Sequence, residues 1–224
     1  EYRLDLATRP EKKRGTDQVW EGAESALRRA LEGRGLTYGL DEGGGAFYGP
    51  KIDVKLKDAI GREWQGTTIQ LDYEMPERFK LEYTGADNRP HRPVMMHRAI
   101  YGTLERFVGM LIEHFAGAFP TWLAPEQVRV LPIAEAQMAV ARDVHQRLRA
   151  SGVRSHLDER SETLNYRIRD GELMKVPYMA VVGQREAEAG TVAVRVRGAG
   201  KKQEIVSVDA FTERLRGEIS SRAL

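Results

Sequence analysis

Cysteine is absent from the 224 residues of this chain. That absence excludes disulfide bonds, a thiol nucleophile and thiolate metal ligands within the chain, and it fits a cytoplasmic protein. Long apolar runs are also missing, since no stretch approaches the ~18 consecutive apolar residues of a membrane span. No basic segment followed by an apolar one stands at the amino terminus. The sequence therefore indicates neither a membrane protein nor a secretory signal peptide.

A strong excess of charge of one sign is lacking as well, because 35 Lys and Arg face 33 Asp and Glu, a net charge of +2. The distribution is slightly uneven. Residues 1–125 carry 18 basic against 19 acidic side chains, and residues 126–224 carry 17 against 14. A basic second half is the direction expected of an RNA-binding domain. An ordinary domain of mixed charge accounts for so small a surplus equally well.

Two prolines, Pro120 and Pro125, bracket a short aromatic segment, and the residue pattern changes after them. Proline and a change of pattern commonly mark a connection between domains. We therefore predict one domain over residues 1–125 and a second over residues 126–224.

The pattern of the first part predicts a mixed antiparallel sheet backed by helices. A helix begins after Thr16, with an apolar side formed by Val19, Trp20, Ala23, Leu27 and Ala30, and it ends at the glycines that follow. Strict alternation over residues 51–57 predicts a strand. A turn over residues 58–61 leads into a second strand over residues 62–72, which makes an antiparallel hairpin.

The second part alternates between strands and helices. Strands are predicted over residues 128–133, 153–157, 178–182, 191–197 and 204–208, and helices over residues 135–150, over residues 162–175 and after a capping Asp209. Alternation of this length predicts a compact three-layer α/β domain with a largely parallel sheet.

The segment over residues 94–115 predicts a helix that is buried on one side. Its apolar arc at helical spacing comprises Ile100, Leu104, Phe107, Val108, Leu111 and Phe115. Arg106 points the other way, flanked by Gly102, Thr103 and Gly109. A guanidinium beside such small positions offers a fork of donors for phosphate and a flat face for a base. A solvated arginine on the polar side of a helix is the ordinary alternative.

Polar side chains occupy the middle of the strand over residues 62–72, where Gln65, Thr67, Thr68 and Gln70 follow closely on one another. A strand inside an enzyme's sheet normally shows apolar residues on at least one face, so this pattern indicates either an exposed edge or the floor of a polar pocket.

The glycines over residues 43–49 resemble a phosphate-binding loop in spacing only. Pro50 stands where that motif needs its lysine, and a strand follows in place of a helix. A flexible turn into the hairpin is the simpler account of these glycines.

Five segments together resemble the class II aminoacyl-tRNA synthetases, and the threonyl enzymes in particular. They are Leu6–Lys12, Gly45–Asp53, Gln70–Asp72, Val94–Phe107 and Phe115–Pro125. The fourth resembles motif 3 of that class. The resemblance covers essentially the whole chain. It implies an α/β (α+β) fold in which residues 1–125 are the end of the antiparallel-sheet catalytic domain and residues 126–224 are a three-layer α/β anticodon-binding domain.

The resemblance also implies roles for individual residues. Arg106 becomes the catalytic arginine that touches the γ-phosphate of ATP and stacks on adenine. ATP binding is assigned to Gln65, Thr68, Thr103 and Arg106, threonine binding to Tyr48 and Gln70, metal binding to His97, and anticodon binding to Arg169, Lys175, Glu186 and Arg195. Two further family positions, which are asparagine and lysine in the family pattern, are Ser161 and Thr163 here. That departure affects the detailed base contacts.

In the threonyl enzymes the histidine matching His97 binds zinc together with a cysteine and a second histidine upstream. This chain contains neither of those two, so zinc is expected only where upstream ligands are present. Without the resemblance, a histidine at the start of a helix is more often a structural hydrogen-bonding residue. Motif 1, the dimer interface, and motif 2, whose arginine grips the α-phosphate, also lie upstream. The resemblance therefore implies that the chain is incomplete and inactive by itself.

The function implied by the resemblance is that of a threonine–tRNA ligase. ATP with Mg²⁺ activates threonine, and the threonyl group passes to the 3′ end of threonine tRNA, in a cytoplasmic homodimer. A non-catalytic RNA-binding module that retains a synthetase anticodon domain is the alternative. A nucleotide-hydrolysing enzyme is disfavoured by the failed phosphate-loop pattern.

Overall fold

A computed structural model describes residues 1–58 and 60–224. These residues form two compact units, Glu1–His114 and Phe115–Leu224. Residues 115–125 thus lie with the second unit, and a domain boundary after Pro125 stays a prediction. The predicted turn over residues 58–61 includes Ala59, which lies outside the described residues. No helix in the described ranges is long and apolar enough to cross a membrane.

The first unit contains seven strands and three helices among its described residues. In chain order they are β1 (Tyr2–Ala7), α1 (Asp17–Glu32), β2 (Gly39–Asp41), β3 (Lys51–Lys57), β4 (Glu63–Asp72), α2 (Glu74–Arg78), β5 (Tyr83–Thr84), β6 (Pro90–His91), β7 (Met95–Ala99) and α3 (Leu104–His114). The predicted helix after Thr16 and the hairpin of β3 and β4 are confirmed. The sequence pattern missed β1, β2 and α2.

A five-stranded sheet in the order β2-β1-β3-β4-β7 organises this unit, and only the β1–β2 pairing is parallel. Helix α1 begins where the Thr16 side chain accepts a hydrogen bond from the Val19 amide, an N-cap that satisfies one free donor of the first turn. Its buried side packs with apolar residues of β1, β3 and β4, which form the core of the unit: Leu4, Leu6, Ala23, Leu27, Leu31, Ile52 and Leu71.

The prediction of a buried helix over residues 94–115 was wrong in two respects. Residues 95–99 form strand β7, because they pair with β4 from Thr68 to Asp72, and Ile100 precedes the helix. A turn at Gly102, with φ of 70°, separates strand from helix. No residue of α3 is buried, and Leu104 is 64% exposed. The elements of this unit leave the apolar side of α3 largely uncovered.

The second unit contains five strands and four α-helices among its described residues. They are β8 (Val128–Pro132), α4 (Met138–Ala150), β9 (Ser155–Leu157), α5 (Leu164–Leu173), β10 (Tyr178–Val182), α6 (Gln184–Ala189), β11 (Thr191–Val196), β12 (Glu204–Ser207) and α7 (Val208–Ser221), with a short 3-10 helix at Glu135–Gln137 before α4. Each predicted element is present, and α6 was missed.

Three layers, as predicted, make up this unit. One face of the sheet packs against α4 and α7 through a core that contains Val144 and Phe211, and the other face packs against α5 through Leu164 and Ile168. The strand order is β12-β11-β10-β8-β9. The prediction of a largely parallel sheet is right only in part, because β9, β8 and β10 pair parallel to one another whereas β11 pairs antiparallel with both β10 and β12.

The predicted cap of the last helix was also wrong. Ser207, not Asp209, caps α7, since its hydroxyl accepts from the Ala210 amide. Asp209 lies inside the first turn, where a negative charge still favours the helix dipole.

Candidate functional site

One face of the first sheet is polar across three neighbouring strands. The register places Lys51 of β3, Gln70 of β4 and His97 of β7 side by side, and the next row places Asp53 beside Thr68. The opposite face carries the apolar residues that pack under α1. Strand β4 lies between β3 and β7, so the edge interpretation of its polar residues was wrong. The remaining interpretation is the floor of a polar pocket.

Tyr48 and Gln70 meet at one end of this floor. The Tyr48 hydroxyl donates to Gln70 Oε1 at 2.6 Å, and the Tyr48 ring packs edge-on against the His97 ring with centroids 5.5 Å apart. Burial, and then the nearby Asp72 carboxylate, raise the pKa of Tyr48. The phenol therefore stays protonated and fixes the Gln70 carbonyl, which leaves the amide NH₂ of Gln70 to donate to a ligand.

The glycine loop is packed against the sheet in the structure, which corrects the interpretation of a flexible turn. A Cβ built on Gly49 would lie 1.7 Å from the Leu71 carbonyl oxygen, and one on Gly45 would lie 2.5 Å from the Thr8 carbonyl oxygen. Glycine is required at both positions because two backbones touch there. This close approach brings Tyr48, one residue before Gly49, within reach of β4.

His97 lies in the middle of β7, and not at a helix start as predicted. Its Nε2 lies 2.8 Å from Oδ2 of the fully buried Asp72, whose Oδ1 accepts from the amides of Glu74 and Met75 at 2.9 Å each. An ionised carboxylate can only accept, so Nε2 carries the proton and Nδ1 of a neutral ring keeps its lone pair. A carboxylate that orients one ring nitrogen is the usual outer partner of a ligating histidine.

The assignment of His97 as a metal ligand is not supported by a set of ligands around it in the described part of the chain. Among the described residues no group of three or more His, Cys, Asp or Glu side chains could hold a metal ion. Zinc needs four ligands in a closed site and three in a catalytic one. The residues of this chain therefore do not fit a zinc site by themselves, and we assign no chemical step to zinc.

The other end of the floor carries the groups assigned to ATP. Gln65 Nε2 donates to Asp53 Oδ1 at 3.0 Å, and Lys51 Nζ lies 2.7 Å from Asp53 Oδ2, which fixes the Gln65 side chain. Asp53 is only 2% exposed. The Thr68 hydroxyl is buried, and no hydrogen-bond partner for it occurs among the described residues. A buried hydroxyl without a partner is costly unless a ligand satisfies it.

The start of α3 lies against this end of β4. A Cβ on Gly102 would lie 3.0 Å from the Gln65 carbonyl oxygen, so only glycine allows the turn to approach β4 so closely. Thr103 follows immediately and is exposed. Arg106 lies in the first turn of α3, is exposed, and has no hydrogen bond or ion pair within the described part of the chain. The structure thus places the turn at Gly102 against the Gln65 backbone, with Thr103 next in the chain and Arg106 about one helical turn further on.

In the second unit the predicted anticodon residues fall into two places. Arg195 and Lys175 lie near the C-terminal end of α5. Arg195 Nη2 contacts Glu172 Oε1 at 3.4 Å, and the Lys175 ammonium donates to the Ala116 carbonyl. Arg169 is exposed on α5, at i,i+3 spacing from Glu172. Glu186 lies at the other end of β10, in the first turn of α6.

Arg195 is a buried cation that faces a cavity. It is 8% exposed, donates to the Gly200 carbonyl at 3.0 Å, and its Nε is buried without a partner among the described residues. The cavity of about 320 Å³ beside it is lined by Glu172, Val176, Met179 and Arg197, among others. A buried donor without a partner, on a side chain that lines a cavity, is suited to an acceptor from a ligand.

Glu186 and Thr163 each cap a helix, a role that the sequence analysis did not predict. Glu186 Oε2 accepts from the Gly183 amide at 3.0 Å and so caps α6, while the Thr163 hydroxyl accepts from the Tyr166 amide and caps α5. Ser161 is exposed. A Glu in the first turn after a glycine is the signal that could have identified the α6 cap.

Asp72 and Asp53 are the site residues that the sequence analysis missed as functional groups. Both are acidic residues in strands, and both are almost completely buried. A buried carboxylate must be paired or hydrogen-bonded, so each was a candidate for holding another polar side chain. The sequence alone does not reveal that His97 and Gln65 are the side chains that they hold.

Comparisons with known proteins divide the chain into two matched parts. Residues 7–115 match the core domain of class II tRNA synthetases (G, H, P, S and T), and residues 127–218 match the anticodon binding domain. Among curated proteins, the threonine–tRNA ligase of Caldanaerobacter subterraneus subsp. tengcongensis is 56% identical over 224 residues, which are 100% of this chain and 35% of that protein. The threonine–tRNA ligase of Sulfurihydrogenibium sp. is 53% identical over 99% of this chain and 34% of that protein.

Solved structures show the same likeness. The chain is similar to the RNA binding domain of threonyl-tRNA synthetase from Cryptosporidium parvum Iowa II, with a TM-score of 0.88 and 38% identity over 97% of this chain and 55% of that chain. A putative threonyl-tRNA synthetase from Aeropyrum pernix gives a TM-score of 0.66 at 27% identity, over 98% of this chain and 55% of that chain. The chain spans about a third of the length of the curated relatives it matches.

Proposed function

The chain belongs to the threonine–tRNA ligase family, and from this we propose that its residues serve an enzyme that activates threonine with ATP and transfers it to threonine tRNA. The observation that supports the proposal most is the polar face of the first sheet. It presents an oriented amide and imidazole at one end, Gln70 and His97, and the Gln65 and Thr68 groups at the other. Arg106 stands beyond the second end, on α3.

At the first end, we assign threonine to Tyr48 and Gln70. Because the Tyr48 hydroxyl donates to the Gln70 side-chain carbonyl, the Gln70 NH₂ group is left to donate to an oxygen of the threonine substrate. His97 Nδ1 accepts from a donor group of the substrate, since Asp72 fixes the proton on Nε2. A site that pairs with the substrate hydroxyl rejects an isostere without it, because its own polar groups would be left buried and unpaired.

At the second end, we assign ATP, bound as its magnesium complex, to Gln65, Thr68, Thr103 and Arg106. The buried Thr68 hydroxyl and the fixed Gln65 side chain supply hydrogen bonds. Arg106 supplies a planar cation, whose fork of donors pairs with phosphate oxygens and whose face stacks on adenine.

The reaction needs no side-chain nucleophile. A carboxylate oxygen of threonine attacks the α-phosphorus of ATP, and pyrophosphate leaves. A ribose hydroxyl at the 3′ end of the tRNA then attacks the acyl carbon, and AMP leaves. Positioning of the two substrates and neutralisation of developing phosphate charge provide most of the rate enhancement.

Arg106→Ala in the complete polypeptide tests the catalytic assignment. Loss of a charge-assisted contact to the transition state should raise the activation free energy of threonine-dependent pyrophosphate exchange by about 2–4 kcal/mol, and the exchange rate should fall accordingly. Arg34→Ala is the matched control, because Arg34 is also exposed and lies just beyond the end of α1. Exchange by the Arg106 variant at the rate of the control would contradict the assignment.

We assign anticodon recognition to the second unit, through Arg169, Lys175, Glu186 and Arg195. Cations of this kind contact phosphates and guanine edges, and a carboxylate accepts from base amino groups. The unsatisfied Arg195 Nε beside its cavity supports a contact to a base. The exposed Arg169 and Lys175 are suited to phosphates.

Filter-binding titrations at two salt concentrations test this assignment. Arg195→Ala should weaken binding of the threonine tRNA anticodon arm by roughly 1–3 kcal/mol and narrow its advantage over a non-cognate arm. Lys175→Ala should weaken both arms alike and flatten the salt dependence. Arg149→Ala, an exposed arginine on α4 at the opposite face of the sheet, is the control. An unchanged preference in the Arg195 variant would contradict a role in base recognition.

A non-catalytic RNA-binding module is the second candidate function. It is favoured by the match of residues 127–218 to the anticodon binding domain, because that domain can bind RNA without catalysis by the first unit. Anticodon-arm binding without any threonine-dependent pyrophosphate exchange in the complete polypeptide would decide for it. A homodimeric assembly and a location in the cytoplasm belong to the first proposal and rest on the family resemblance.

A further inference from the structure

The segment between β4 and β7 carries an exposed group of aromatic and cationic side chains that the proposed reaction does not use. Phe79 is 67% exposed and Tyr83 is 54% exposed. Arg78, Lys80 and Arg89 are exposed too, and none of them has an ion pair within residues 1–58 and 60–224. We call these five residues the hairpin surface.

The acidic residues of the same segment contact other side chains, beginning with Glu74, which pairs with Arg14. Arg92 Nε donates to Glu77 Oε2 at 2.9 Å, and Arg92 Nη2 lies 3.9 Å from Glu82 Oε1. Asp87 Oδ1 lies 2.8 Å from His91 Nε2. Within the described ranges, Arg78, Lys80 and Arg89 thus form no ion pair with these carboxylates, and their charged groups are available to an anionic ligand.

The hairpin that carries Tyr83 is well ordered by its own contacts. Strands β5 and β6 pair Tyr83 with His91, and the two rings lie 5.8 Å apart. A Cβ on Gly85 would lie 2.5 Å from His91 Cδ2, so the turn packs against the same ring. The Asn88 amide donates to the Gly85 carbonyl across the turn. A ring held in this way loses little conformational entropy when a ligand stacks on it.

The position of the segment relates it to the proposed site. The chain leaves β4 at Asp72 and enters β7 at Met95, and these two residues are partners in the sheet. The segment therefore starts and ends at the end of the sheet that holds Asp72 and His97. Under the proposed function, the 3′-terminal ribose of the tRNA must reach this end, and the last nucleotides of the acceptor arm are single-stranded.

We propose that the hairpin surface binds the single-stranded 3′ end of the acceptor arm. Phe79 and Tyr83 stack on bases, and Arg78, Lys80 and Arg89 contact the phosphates between them. Exposed rings interleaved with unpaired cations are the chemistry of a single-strand binding surface. The inference rests on the proposed function for the identity of the RNA, but not for the presence of the surface.

Fluorescence anisotropy with two labelled RNA stems tests the inference. The stems differ only in a single-stranded 3′ overhang, and neither carries an anticodon. The chain should bind the overhang stem more tightly than the blunt stem. Phe79→Ala should weaken overhang binding by roughly 5- to 150-fold, the loss of one stacked base, and leave blunt-stem binding unchanged. Tyr2→Ala is the control, since Tyr2 is 65% exposed in the same unit.

Further variants separate this inference from the rest of the proposal. Lys80→Ala and Arg89→Ala should flatten the salt dependence of overhang binding, and Arg34→Ala should not. Arg195→Ala should leave the overhang preference intact, because it lies in the other unit. In the complete polypeptide, Phe79→Ala should slow transfer to tRNA while pyrophosphate exchange stays normal. Absence of exchange in the unmodified protein would instead refute the proposed function.

Equal binding of the two stems by the unmodified chain would overturn the inference. So would an unchanged overhang preference in both Phe79→Ala and Tyr83→Ala, provided that circular dichroism shows each variant to be folded. Phe79 is the safer of the two substitutions, because the Tyr83 ring also packs on His91.

Discussion

The buried Asp72 carboxylate allows the sharpest test of how the site is built. One of its oxygens holds the first amides of α2, and the other holds His97 Nε2. Asparagine keeps an oxygen for the two amides but presents an NH₂ group to the imidazole. Alanine removes both contacts. Comparing Asp72→Asn with Asp72→Ala therefore separates the support of α2 from the orientation of His97.

The expected costs follow from the two kinds of hydrogen bond. Alanine loses a cap worth about 0.5–2 kcal/mol and a bond to a charged acceptor worth about 1.5–3 kcal/mol, so the first unit should lose roughly 2–5 kcal/mol of unfolding free energy. Asparagine keeps the cap and replaces the charged bond by a neutral one, at a cost of about 1–2 kcal/mol. Because an NH₂ group can only donate, the His97 ring must then carry its proton on Nδ1.

Urea titrations followed by the amide resonances of residues 1–114 measure the two stability losses, and nitrogen chemical shifts of the His97 ring report the tautomer. Asp17→Asn is the control, because the Asp17 side chain is 70% exposed and its ion pairs at the surface contribute little. Equal stability losses in the two Asp72 variants would refute the division of roles. A proton that stays on Nε2 in Asp72→Asn would refute the orientation argument.

Three further predictions concern the caps, the pH dependence and the metal. Glu186→Gln should keep the α6 cap, whereas Glu186→Ala should lose about 1 kcal/mol of unfolding free energy, measured by thermal unfolding. If the stable Gln variant loses anticodon discrimination, the Glu186 carboxylate also contacts a base. Burial, and then the hydrogen bond to Glu218 at 2.7 Å, raise the pKa of Tyr178 to about 12. The neutral phenol is therefore favoured by folding, so stability should be intact below the unfolded pKa of ~10 and should fall by about 2–3 kcal/mol towards pH ~12. Urea midpoints across this range should decline less steeply in Tyr178→Phe, and an equal decline would contradict the assignment to this phenol. Elemental analysis of the dialysed chain should find well under one zinc per chain, because His97 has no companion ligands among the described residues. One tightly held zinc per chain would show that ligands outside this set exist.

The sequence by itself determined the elements whose signals are local. Thr16 and the apolar spacing that follows it fixed α1, because a cap and a helical period act within a few residues. The continuous apolar run Tyr178–Val182 fixed β10 at its observed bounds. The motif residues also carried the family resemblance, which the two matched domains confirm.

Tertiary structure decided what depended on distant partners. Residues 95–99 became a strand because β4 offered them a ladder of hydrogen bonds, although the helical spacing of the apolar residues from Ile100 onwards had led us to include them in a helix. The apolar side of α3 is uncovered because periodicity predicts which side of a helix is apolar but not what covers it. The pairing of His97 with Asp72, 25 residues apart, arose from the register of two strands, and no local pattern encodes that register.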